Sequence, residues 1–134
     1  MLRNSGTADL VVAACAVSAG AHAALVPAHL DHEPRLGVAF VVAVLVLLGA
    51  GAALVQSPAS PRAAHSATLV LAGLIASYAA ATTVGIPLLS GEPEAVDGVA
   101  PATKSAEFLG LVFALKHGQS VGGNRSLTRQ EVSP

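Results

Sequence analysis

The run from Leu36 to Val55, LGVAFVVAVLVLLGAGAALV, contains no ionisable residue. It matches the ~20 apolar residues that carry an α-helix across the hydrocarbon core of a bilayer. In lipid a single segment can satisfy its own backbone only as a helix. A chain holding such a run is expected to be a membrane protein, so the remaining sequence is read with lipid as its solvent.

Composition points the same way. Of 134 residues 53% are hydrophobic and 11% are charged, whereas a soluble domain carries about 25% charged residues. Aromatic residues make up only 3%, so a core would have to be built from Ala, Val, Leu and Gly. Helices in lipid can pack on such small residues because their backbones approach closely. Ala14 and Ser18, Ala16 and Gly20, Gly49 and Ala53, and Gly73 and Ser77 have the four-residue spacing this needs. A net charge of −1 offers no basic surface to phosphates, and no nucleic-acid partner is expected. The single cysteine, Cys15, excludes an intramolecular disulfide and any multi-cysteine zinc motif.

Four apolar segments are expected as helices, at about residues 10–26, 36–55, 63–84 and 100–115. The fourth is the weakest because it contains Lys104 and Glu107. Charge placement favours a span there. Four spans put Arg3, Arg62, Lys116, Arg125 and Arg129 on one side and Arg35, Lys104 and most acids on the other. Basic residues favour the cytoplasmic face. Pro101 suits a first helical turn, and Lys104 and Glu107 share a helix face at a spacing of three. The expected fold is therefore all-α, a four-transmembrane-helix bundle. Residues 1–115 form one membrane domain and 116–134 a polar, disordered cytoplasmic tail. The expected location is the bacterial cell membrane, multi-pass, with both termini cytoplasmic and an acidic outer face. The bilayer, and other membrane protein subunits, are the expected partners.

Residues 1–23 also read as a secretory signal, with Arg3 as the basic region and Ala21-His22-Ala23 as an A-x-A cleavage site. Asp9 and the apolar character that continues to Val26 favour a retained span. The tetrapeptide VAAC ending at Cys15 has the form of a lipoprotein box, but an apolar stretch follows it. Cys15 is expected as a small packing residue.

The candidate chemistry lies where the first segment turns polar. His22 and His29 are seven residues apart, about two helical turns. Pro27 between them is expected to end or kink the helix, leaving His29, Asp31, His32 and Glu33 in a short outer loop. Imidazole and carboxylate suit divalent transition metals, and His22, His29, His32 and Glu107 are the candidate ligands. The spacing is not a specific ligand motif, and interfacial histidines commonly just reach water. No cofactor is required by the sequence. His65 and His117 both fall at inner helix ends, where a histidine pair on two helices could ligate a haem. Glu107 is the most informative residue, because an acid inside a span is a functional candidate by default. Pairing with Lys104 is the competing reading. Thr82 and Thr83 are candidate partners at the same depth, or else bond their own helix carbonyls. No nucleophile elbow, HExxH or P-loop is present, and no enzymatic activity is expected.

HAALVPAHLDHEPRLGVAFVVAVL, together with TTVGIPLLSGEPEAVDGVAPATKSAEFLGLVFAL, resembles small uncharacterised four-helix integral membrane proteins of actinobacteria. The matching positions are His22, Pro27, His29, Thr83 to Pro87, Gly91 to Glu94 and Glu107. The chain departs from those sequences at Asp31-His32-Glu33, where they often carry an aromatic residue. The resemblance implies four spans and a patterned outer face, and it brings no activity with it. Three readings follow: a non-enzymatic accessory or structural membrane subunit first, then a metal-handling protein, then a small channel or transporter gated by Glu107.

Overall fold

A computed structural model describes residues 5–85 and 100–130, with side chains for 6–85 and 100–123. The acidic stretch containing Glu92, Glu94 and Asp97 lies outside the described residues. Four α-helices make up the described chain: α1 (Ser5–His32), α2 (Pro34–Gln56), α3 (Pro61–Thr83) and α4 (Ala100–Gln130). The first three are long and apolar enough to cross a membrane, and α4 is not among them.

Helix α1 corrects one expectation. Pro27 lies inside it and does not end it. A proline costs one backbone hydrogen bond, a loss that packed membrane helices tolerate. The break comes instead at Glu33, with φ −139° and ψ 76°, because Pro34 bars the residue before it from helical geometry. Pro34 then serves as the first residue of α2. His29, Asp31 and His32 are therefore the last turn of α1 and not a loop. The reversal is tight: a Cβ on Gly37 would come within 2.7 Å of the Leu30 backbone nitrogen, so only glycine fits there.

Residues 57–60 join α2 to α3. Ser57 N–H donates to Ala53 O (3.0 Å) and Ser60 N–H to Ser57 O (3.0 Å). The Ser60 hydroxyl then caps α3 by accepting from Ala63 N–H (3.4 Å). Helix α4 overruns its expected end. Segment 116–130, expected as a disordered tail, continues the helix to Gln130. Its polar composition conceals an inward face, for His117 and Val121 are both buried.

Each helix runs antiparallel to its sequence neighbour. Cys15 meets Gly51 across α1 and α2, while Ala14 and Leu71 meet Gly110 across α1–α4 and α3–α4. Helix α1 packs on α2 and α4, and α3 on α4 and α2, whereas α1 and α3 barely touch. That is the up-down-up-down ring of a four-helix bundle. The buried positions step by three and four: Ala8, Val11, Cys15, Ser18 and His22 on α1, and Thr103, Glu107, Gly110, Ala114, His117 and Val121 on α4. A mean step of 3.5 keeps one seam of a helix against its neighbours.

The bundle is apolar on its outside. Leu45, Val55, Leu69, Phe108 and Leu109 are all more than half exposed. The interior holds Leu47, Leu54 and Leu71 with small residues, and it also holds Ser18, His22, Thr103, Glu107 and His117. Water would penalise such a surface, whereas lipid accepts it.

Candidate functional site

Helices α1 and α4 bring Ser18, His22, Lys104 and Glu107 together. Glu107 is completely buried. Both its oxygens are satisfied: Ser18 Oγ–H donates to Oε1 (2.6 Å) and Lys104 Nζ donates to Oε2 (2.7 Å). The lysine side chain is only 18% exposed, and its ammonium lies 5.1 Å from the centre of the Tyr78 ring on α3, a cation–π distance. A charged carboxylate with an ammonium and a hydroxyl on it is the arrangement that makes burial of an acid tolerable.

His22 completes the group. Its Nδ1–H donates to the Ser18 carbonyl (2.8 Å), and the same nitrogen lies 3.4 Å from Ser18 Oγ and 4.0 Å from Glu107 Oε1. This bond assigns the proton to Nδ1. Among the described residues Nε2 has no hydrogen-bond partner. The ring is 6% exposed and stands edge-on to Phe40 of α2, with centroids 5.5 Å apart.

The cluster sits deeper than the sequence suggests. Ser18 is nine residues from Asp9 and thirteen from Asp31, both exposed. It is thus about 14 Å and about 20 Å of helix from those two charges, at a 1.5 Å rise per residue. Glu107 shares that level, near the middle of α1.

Below it the helices close. A Cβ on Gly110 would lie 2.6 Å from the Ala14 Cβ and 3.2 Å from a Leu71 methyl, so α1 and α4 touch almost backbone to backbone. Two steps further down, a second polar group appears. His117 Nε2–H donates to the Pro58 carbonyl (2.7 Å), and its Nδ1 is 3.2 Å from Thr7 Oγ1. Both ring nitrogens are therefore engaged.

Of the four candidate metal ligands, the structure joins His22 and Glu107. His29 donates from Nδ1 to Leu25 O (2.9 Å) and also stands edge-on to Phe40, with centroids 4.6 Å apart. His32 is exposed at the end of α1. Among the described residues no group of three or more His, Cys, Asp or Glu side chains could hold a metal ion. The haem pair is not formed as a ligand pair either: His117 has both nitrogens engaged, and exposed His65 bonds Pro61 O. Thr82 and Thr83 bond carbonyls of their own helix and leave Glu107 alone. Cys15 is buried against Gly51, as a packing residue would be.

The Lys104–Glu107 pair was legible from spacing. His22 was grouped with Glu107 only as a metal ligand and Ser18 was missed altogether, although both continue the three-four step of Val11 and Cys15, and polar residues on a core seam are a readable signal. No protein-family model, no curated protein and no solved structure matches the chain. The class its own residues define is an all-helical bundle with three helices fit to cross a membrane.

Proposed function

We propose that this chain is a four-span integral membrane protein of the bacterial cell membrane, with both termini cytoplasmic. It acts as a non-enzymatic accessory subunit of a larger membrane assembly. One observation carries the fourth span: α4 turns Phe108, Leu109 and Leu115 outward while Thr103, Glu107 and His117 face inward. A helix lying in water beside three spanning helices would do the reverse. Lys104 and Glu107 lower the apolar average of α4, and their mutual bond removes most of the cost of carrying them into lipid.

The accessory reading is supported by the packing at Ala14, Leu71 and Gly110. It occupies the space that a conduit between α1, α3 and α4 would need. Reporter fusions test the topology. A fluorescent protein fused after Pro134 is expected to be bright and an exported phosphatase there inactive. The opposite pattern would reduce the chain to three spans. Purified protein in sealed liposomes is expected to carry no proton or alkali-cation flux above empty vesicles, and a flux abolished by Glu107→Gln would make it a transporter.

A further inference from the structure

We propose that the bundle binds an anionic phospholipid at the end where α3 begins, with Arg62 and Lys116 holding the headgroup phosphate. It rests on the four-span reading above and gives that reading a ligand. Charge is unevenly spread along the molecule. From Ser57 to Val84 and from Phe108 to Gln130 the chain carries Arg62, Lys116, Arg125 and Arg129 and no Asp or Glu. At the opposite end the cations have acids beside them: Lys104 is bonded to Glu107 (2.7 Å), and Arg35 follows Asp31 and Glu33. Arg62 and Lys116 are both exposed, and neither has an ion pair among the described residues. Asp9 on α1 is the one described acid toward this end, and it is exposed and unpaired as well.

Packing sets the two cations at neighbouring depths. A Cβ on Gly118 would lie 3.8 Å from the Ala64 Cβ, which fixes α3 against α4 at this end. Arg62 lies two residues before Ala64 and Lys116 two before Gly118. On antiparallel helices they are therefore four residues apart along the axis, about 6 Å. Arg62 is in the first turn of α3, at the edge of the span and at the positive end of that helix's dipole. Lys116 stands about one turn deeper. Its outward surroundings are apolar: Leu115 beside it and Leu69 on α3, about one turn deeper still, are both exposed. A lysine in that position lays its stem along the apolar surface and sends its ammonium toward the headgroups. An anion there lowers the cost of a cation that has no acid of its own. The exposed leucines give the acyl chains of the same molecule a surface to lie on. A soluble phosphate would use the charges alone, whereas a phospholipid uses both.

The test is native mass spectrometry of the full chain, released from detergent micelles that hold equal amounts of phosphatidylglycerol and phosphatidylcholine with the same acyl chains. Phosphatidylglycerol adducts should outnumber phosphatidylcholine adducts about tenfold or more. Arg62→Gln and Lys116→Gln should each cut that preference about fivefold, the share of one basic residue near a membrane surface. Arg62→Lys combined with Lys116→Arg should keep it, so a loss confined to the glutamine variants reports charge and not a disturbed fold. Arg35→Gln, at the other end of the bundle, should leave it unchanged. Equal retention of the two lipids by the native chain, or a preference that survives both glutamine substitutions together, would overturn the proposal. Displacement of the bound lipid by glycerol phosphate would overturn it too, by making the ligand a soluble phosphate ester. A chain that does not cross the membrane four times fails the reporter assay whatever lipid it retains, so the two failures are distinguishable.

Discussion

The group at Thr7, His117 and Pro58 and the group at Ser18, His22, Lys104 and Glu107 join the same two helices, yet they are satisfied differently. His117 donates from Nε2 to the Pro58 carbonyl and has Nδ1 on the Thr7 hydroxyl, and both partners are neutral. It acts as a clamp between α4, the start of α1 and the turn before α3. The upper group carries a full positive and a full negative charge and leaves one imidazole nitrogen open. A closed neutral set holds helices together and has nothing left to exchange. The charged set, two turns and more along the same helices, differs in both respects.

Substitutions can break that contrast, and their effects should scale with the charge exposed. Glu107→Ala strands Lys104 as an uncompensated ammonium, an event that costs about 3–5 kcal/mol when the partner of a buried pair is removed. Thermal unfolding in detergent should show the largest loss of any substitution considered, and Glu107→Ala combined with Lys104→Leu should recover most of it. Gly110→Val drives a side chain into Ala14 and Leu71, and overpacking of this kind costs about 1–3 kcal/mol. It should separate α1 from α4 without touching either polar group.

The lower clamp should prove simpler. His117→Ala leaves the Pro58 carbonyl and the Thr7 hydroxyl without the ring, and thermal unfolding should show a cost of about 1–3 kcal/mol. No loss at all would mean that the ring does not clamp α4 to the start of α1 and the turn before α3. Ser18→Ala should cost about 1.5 kcal/mol in thermal unfolding, the lower end of the range for a hydrogen bond to a charged group. Thr83→Val is the smallest change, within about 0.5 kcal/mol, because its hydroxyl only returns to the Ala79 carbonyl of its own helix.

How much of this was legible depends on which property the sequence displays. The two central helices read well: 36–55 and 63–84 were expected, and Pro34–Gln56 and Pro61–Thr83 are found. Their apolar runs end at prolines and polar turns, so hydropathy and hydrogen bonding stop together. The outer helices did not read as well. Helix α1 passes through Pro27 and takes in Asp9, Asp31 and His32, because backbone bonding continues where apolar character has ended. Helix α4 extends through Lys116 and His117 because one narrow seam is buried while the rest of the turn is polar. Glu107 stood out as an acid in an apolar run. Its partners Ser18 and His22 belong to a helix 89 and 85 positions away in sequence, and only the antiparallel register of α1 on α4 brings them to it. The same register explains why His29 and His32, two to three turns beyond His22, do not reach Glu107 and why the metal-ligand set stays divided.

That register is best tested by oxidative cross-linking in native membranes. Ala14→Cys and Gly110→Cys would be placed together in a Cys15→Ala background, with Gly20→Cys and Gly110→Cys as the control, since Gly20 faces outward. Rapid intramolecular cross-linking of the first pair and none of the second is the predicted result. Equal cross-linking of both pairs, or of neither, would mean that α4 does not lie against α1 in this register and that Glu107 is not the partner of Ser18 and His22.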